Sequence, residues 1–159
     1  MKQLFKTRTP LLILTLVMLF SSCKKDKQPA VENTLTMLQN KNWKITALTV
    51  TPGYSGAASD DIYNTWMEAC DRDNLFRFNT GNEFILDEGP TKCNPADLQT
   101  QPGTWGYNDA VSMLNFQLTS PADAYSLKIV SINQNSFVGT ESETAGGIVY
   151  VSTWTFVKQ

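Results

Sequence analysis

The 159-residue chain predicts an all-β fold, an eight-stranded antiparallel up-and-down β-barrel, with a short N-terminal helical turn and one short helix in the first long loop. Three observations carry this expectation. Strand-like segments recur at short intervals after residue 33, separated by Gly, Pro, Asn and Asp. Apolar and polar residues alternate within them, the two-residue period of a strand with one face to bury. The connections leave no room for crossover helices, so the strands pair antiparallel, as a sandwich or a closed barrel. Closure removes the sheet edges, and eight strands enclose just enough space for side chains or one small ligand.

The N-terminus is set apart from this pattern. MKQLFKTRTP carries Lys2, Lys6 and Arg8, and LLILTLVMLF is an uncharged apolar run of ten residues. A bilayer span needs about 20, so the run suits the apolar region of a secretory signal. FSSC follows at 20–23, with two small residues before Cys23, and then KKDK. The arrangement resembles a lipobox, which implies cleavage before Cys23 and lipid on its sulfur; residues 1–22 are then expected to be a lipoprotein signal peptide, and 23–33 a lipidated, flexible tether of about 35 Å at most. Residues 34–159 are expected to form the barrel domain. Loss of the three basic residues turns a formal charge of −2 into about −5. A mildly acidic chain without a basic run offers no footprint for nucleic acid.

Lipid on Cys23 also resolves an odd cysteine count, since Cys70 and Cys93 then remain as a pair. Two or three acyl chains anchor a protein durably where one does so marginally.

Residues 34–40 place Leu35 and Leu38 three apart, which suits a helical turn against a barrel end. The strands are expected at 43–51, 74–79, 82–87, 103–108, 111–119, 124–132, 136–141 and 147–157. Tyr125, Leu127 and Ile129 share one face of their segment, as do Leu114, Phe116 and Leu118 of theirs. In the last, Ile148, Tyr150, Trp154 and Phe156 oppose Val149, Thr153 and Thr155. A short helix is expected within 59–70, with Ser59 or Asp60 as N-cap and Ile62, Trp66 and Ala69 on one face.

NTGN at 79–82 supplies Gly81 for a positive φ and marks a hairpin. With Phe78 opposite Glu83, Cys70 falls opposite Thr91, close enough to Cys93 for a disulfide at the open end of that hairpin. An exported protein keeps such a bond. Closing the 24-residue loop contributes roughly 3 kcal/mol in the chain-entropy model.

Two other readings of this segment fail. Asp71 and Asp73 begin like a calcium loop, but Leu75, Phe76 and Asn82 stand at its fifth, sixth and twelfth positions. The same register brings Asp73 near Glu88, a carboxylate pair of the kind glycosidases use, yet both flank an exposed hairpin end, where aspartates solvate loops and cap turns. The chain has no histidine, which excludes Ser-His-Asp and Cys-His constellations and imidazole-ligated zinc. No catalytic residue, metal or cofactor is expected, and the protein is expected not to be an enzyme.

LQNKNWKI at 38–45 is similar to the opening of a lipocalin, whose G-x-W motif follows a short helical turn; Trp43 matches the tryptophan and Lys41 stands where the glycine would be. The series WKITALTV, CDRDNLFRFNTGNEFILDEGPTKCNP and GTWGYN resembles the lipocalin-like domain of Bacteroidetes-type lipoproteins over about residues 35–157, and SSCKKD looks like their lipidation site. The resemblance implies a cell outer membrane lipoprotein, tethered through Cys23, with a small apolar or amphipathic ligand in the barrel. Lys24 rather than aspartate follows the cysteine, so the inner-membrane retention signal is absent there. The ligand would meet inward residues such as Trp43, Phe78, Phe84, Trp105, Tyr107, Phe116, Tyr125 and Tyr150. These aromatics equally suit a self-filled core. In the alternative, a rigid barrel presents the loops at 51–61, with Tyr54, and 120–125 to a protein or glycan partner.

Overall fold

The computed structural model describes residues 33–159. The signal peptide, Cys23 and the tether up to residue 32 lie outside the described residues. Asn33, assigned to the tether, already belongs to the domain: its side chain accepts from the Thr36 N–H and caps helix α1, Thr34–Leu38.

Nine strands follow: β1 Asn42–Thr51, β2 Asp60–Asp61, β3 Leu75–Phe78, β4 Glu83–Asp87, β5 Thr100–Asn108, β6 Met113–Leu118, β7 Ala124–Ile132, β8 Ser136–Ala145 and β9 Ile148–Lys158. β2 is a two-residue addition to the edge of β1. The other eight pair antiparallel with their neighbours in sequence, and β9 returns to β1 from Trp43↔Lys158 to Thr51↔Val151, closing the barrel. All these strands, their core and the disulfide lie within Val31–Gln159, one compact unit with its own hydrophobic core, as a domain that folds by itself requires.

The expected barrel, helical turn and loop helix are all present. Several boundaries differ. β5 starts at Thr100, three residues early, and carries Pro102, whose missing N–H the start of a strand tolerates. β8 runs on to Ala145, because Gly146 and Gly147 at φ 59° and 81° form a two-residue turn that lets β8 and β9 pair to their tips. Helix α2 is the single turn Ile62–Thr65, and its N-cap is Asp61 rather than Ser59 or Asp60. The β3–β4 hairpin pairs Phe78 with Phe84, one residue out of the expected register. Thr80–Asn82 makes a 3-10 turn around Gly81 at φ 80°, and the Asn79 N–H closes it on the Glu83 carbonyl at 2.9 Å. The corrected register brings Cys70 opposite Lys92, next to Cys93. The disulfide Cys70–Cys93 is formed, with Cα atoms 5.2 Å apart.

One end of the barrel is packed solid. Trp43 lies beneath α1 and donates its indole N–H to the Leu38 carbonyl at 2.9 Å. Lys41, in place of the motif's glycine, bonds the Met37 carbonyl at 2.7 Å and lies 5.7 Å from the centre of the Trp43 ring. It thus satisfies an orphan carbonyl at the helix end and adds a cation–π contact. Phe137 meets Trp43 edge-on at 4.9 Å and stacks on Phe156 at 4.3 Å. Phe78 touches Phe84, Trp105 and Phe116 with centroids 5.3 to 5.5 Å away.

Candidate ligand-binding site

The opposite end is where β1 ends, β3 begins and the longest loops emerge, and there the packing gives way to a hollow. Two features of the sheet open it. β1 and β3 pair only through Asn42↔Arg77 and Trp43↔Phe76, so the strands diverge and the segment 52–74, carrying α2, covers the gap. β7 and β8 pair no further than Lys128↔Thr140, which leaves the 124–127 end of β7 without β8 beside it.

The hollow has a volume of about 370 Å³, within the range of small-molecule pockets. Ile45 and Leu48 of β1, Phe76 of β3, Phe84 and Leu86 of β4, and Leu118 of β6 make its apolar walls. A bulge between Ile45 and Ala47 lets both Ile45 and Leu48 be buried although they are three apart. Ile62, Trp66 and Met67 form the lid from α2 and the turn after it. Trp154 of β9 also lines the hollow, and its Nε1 is buried without an acceptor among the described residues. A second, more polar hollow of about 470 Å³ adjoins the first, sharing Asp71, Asn74, Leu86, Leu118 and Tyr125 with it.

Asn74 holds the floor of the covering segment. Its amide nitrogen, turned inward, donates to the carbonyls of Glu88 and Cys70 at 3.0 and 3.2 Å, joining the start of β3 to the disulfide and the end of β4. Arg72 binds the carbonyls of Met67 and Asn64 and sits 5.3 Å from the Tyr63 ring centre, which fixes the turn after α2. Asp60, bonded by Ser55, and Asp61, bonded by Asn64, have carboxyls held below the ordinary range by those hydrogen bonds.

Of the eight residues expected to line a ligand, Phe84 and Tyr125 line this hollow, and Trp105, Phe116 and Tyr125 line another of about 450 Å³ on the β5–β6–β7 side. Trp43 and Phe78 are buried in the solid half; Trp105 and Phe116 are also buried, and Trp105 donates to the Asn79 carbonyl at 2.8 Å. Tyr107 lies at the closed end, beside Asn33, Leu35 and Asp109. Tyr150 packs 4.7 Å from the exposed Tyr54, which in turn stacks at 5.5 Å on Trp66, 62 % exposed. The apolar residues of β1, β3, β4 and β6 that face the hollow stand on strand faces the alternation identifies as buried. Nothing local to them tells an apolar wall from a filled core. Trp66 and Met67 belong to an irregular loop, where no period applies.

Electrostatics give the mouth its sign. Burial first, then Asp123, Glu141 and Asp71, push the Tyr125 hydroxyl above its ordinary pKa. Asp71 is raised by burial and by Glu68 and Asp73, and Glu141 by burial and Glu143. Asp73 and Glu88 are each held by neutral partners. Asp73 Oδ2 accepts from Thr91, while Glu88 Oε1 accepts from Gln101 Nε2 at 2.9 Å. Glu68 lies beside Cys70 and Cys93, whose joined sulfurs offer no thiolate to a metal.

The chain matches no protein-family model and no curated protein sequence. At the level of architecture it is an eight-stranded antiparallel barrel, closed at one end by a helical turn over a tryptophan, and this is compatible with a lipocalin-like fold.

Proposed function

We propose that the protein is a lipocalin-like lipoprotein of the Bacteroidetes type, tethered to the outer membrane through Cys23, that binds or carries a small apolar or amphipathic ligand at the open end of its barrel. The observation that carries this reading is the hollow of about 370 Å³ between the solid half of the barrel and α2, walled by aliphatic and aromatic side chains. Each methylene buried there contributes about 0.8 kcal/mol. The tether is supported by the basic start, the apolar run at 11–20 and the SSC sequence ending at Cys23. Mass spectrometry of small molecules that co-purify with residues 31–159 tests the carrier role. Recovery of a ligand in stoichiometric amount supports it, and a protein that is consistently empty opposes it. Protease accessibility on intact cells distinguishes the periplasmic from the outward-facing side.

A second reading, a non-enzymatic module that presents loops to a protein or glycan, draws on the stacked and exposed Tyr54 and Trp66 at the rim. Stacked aromatics supply rigid contact area at low entropic cost.

A further inference from the structure

The apolar hollow opens beside a more polar one, and the acids around the two come from four separate elements. Asp71 follows α2, Glu88 follows β4, Asp123 precedes β7 and Glu141 lies on β8. Asp71 lines both hollows, while Glu88 and Asp123 line the outer one. Glu141 lines a third hollow, on the side where β8 parts from β7, and Tyr125 lines all three. Tyr125 is therefore the residue common to all three, and each of them carries at least one of Asp71, Asp123 and Glu141.

No lysine or arginine lines any of these three hollows among the described residues. Of the cations nearest in sequence, Arg72 is held by the carbonyls of Asn64 and Met67 and Lys92 by the Asp97 carbonyl at 2.6 Å, while Lys128 shares with Glu141 a separate hollow that Tyr125 does not line. An independent observation concerns Glu88, which is only 6 % exposed. Its carboxylate is served by the neutral amide of Gln101, and no cation reaches it within the hollow it lines. Burial of a carboxylate without a counter-ion is costly. A positively charged group entering the mouth would offset that cost and would also meet the face of an aromatic ring. An anionic headgroup beside Tyr125 would face repulsion from Asp71 and Asp123.

We propose that the site selects a cationic amphiphile, with its charged nitrogen among Asp71, Asp123 and Glu141 beside Tyr125 and its hydrocarbon in the hollow beneath α2. This rests on the reading of that hollow as a ligand site and adds the charge of the ligand to it. The acids act at the mouth, where they also meet solvent, so the preference weakens as salt rises.

The test is calorimetric titration of residues 31–159 with three ligands of one chain length, decyltrimethylammonium, decanoate and 1-decanol, each below its aggregation concentration. The cation is expected to bind at least tenfold more tightly than the anion at low salt. In the triple variant Asp71→Asn, Asp123→Asn, Glu141→Gln that ratio is expected to fall to about twofold or less while decanol binding persists, which also reports that the variant is folded. If the triple variant does not bind decanol, the Asp123→Asn single variant reads the same ratio, expected to drop at least threefold. Decanoate binding as tightly as the cation, or a ratio unchanged in the variants, overturns the charge selection and leaves the ligand site standing. Failure of all three ligands to bind the wild type overturns both.

Discussion

The ring of Phe116 stacks on that of Tyr125 with centroids 5.0 Å apart and planes 18° from parallel, across neighbouring residues of β6 and β7. Phe116 is buried among Phe76, Phe78 and Phe84, whereas Tyr125 reaches the hollows at the mouth. The contact marks the level at which the barrel changes from packed to hollow. That change separates a self-filled barrel from one that can hold a ligand.

A tryptophan placed in the hollow distinguishes the two. Leu86 lines it from β4, at the partner position of Phe76. In a well-packed interior, enlarging a side chain costs about 1–3 kcal/mol. Leu86→Trp is expected to cost less than about 1 kcal/mol in urea unfolding, because the new indole occupies free volume. A loss well above that range would mean the space is not there.

The disulfide tethers the segment that covers the hollow to the end of β4. Removing it as Cys70→Ser, Cys93→Ser is expected to lower stability by roughly 3 kcal/mol. The far-ultraviolet signature of the sheet should persist, since both cysteines lie outside the strands. Global loss of β structure in the oxidised-state controls' buffer would show that the barrel depends on the bridge.

At the closed end, Trp43→Ala removes an indole that is fully buried, bonded to Leu38 and packed against Phe137. A loss of about 3–5 kcal/mol is expected, together with release of α1, visible as faster amide exchange at Met37 and Gln39, whose N–H groups bond the Asn33 and Leu35 carbonyls. Exchange there that is unchanged would contradict the role given to Trp43.

Glu141 has its carboxyl raised by burial and by Glu143. A raised folded-state pKa means that the fold favours the protonated form. That contribution is full below the unfolded-state pKa and is lost as pH rises through the folded value. Glu141→Gln, which stays neutral throughout, is therefore expected to match the wild-type melting temperature near pH 4 and to exceed it near pH 7. A variant that is less stable at pH 7 than at pH 4, relative to wild type, would reverse the sign.

Much of the barrel was legible in the sequence because alternation states which face each strand buries, and because Gly81, Gly146 and Gly147 mark the tight turns. The hairpin register was not, since Phe78 opposite Glu83 and Phe78 opposite Phe84 differ only in how Asn79–Glu83 closes. Bulges in β1 and β7 were likewise invisible, because an extra residue leaves composition unchanged while resetting the alternation after it. For the site, aromatic content alone does not separate Trp43 and Phe78, which fill the closed half, from Phe84, Trp105, Phe116 and Tyr125, which line hollows. The hollow depends on where β1 leaves β3 and where β8 leaves β7, which are distances between strands far apart in the chain. The acids at its mouth are unremarkable one by one; only the fold brings Asp71, Asp123 and Glu141 around one phenol.

The decisive measurement is a titration of 1-decanol into wild-type and Leu86→Trp protein, residues 31–159, by calorimetry. Saturable binding of one molecule by the wild type, abolished or weakened at least tenfold in a Leu86→Trp variant of undiminished stability, is the expected result. No saturable binding by the wild type, or equal binding by both proteins, would contradict a ligand held in this barrel.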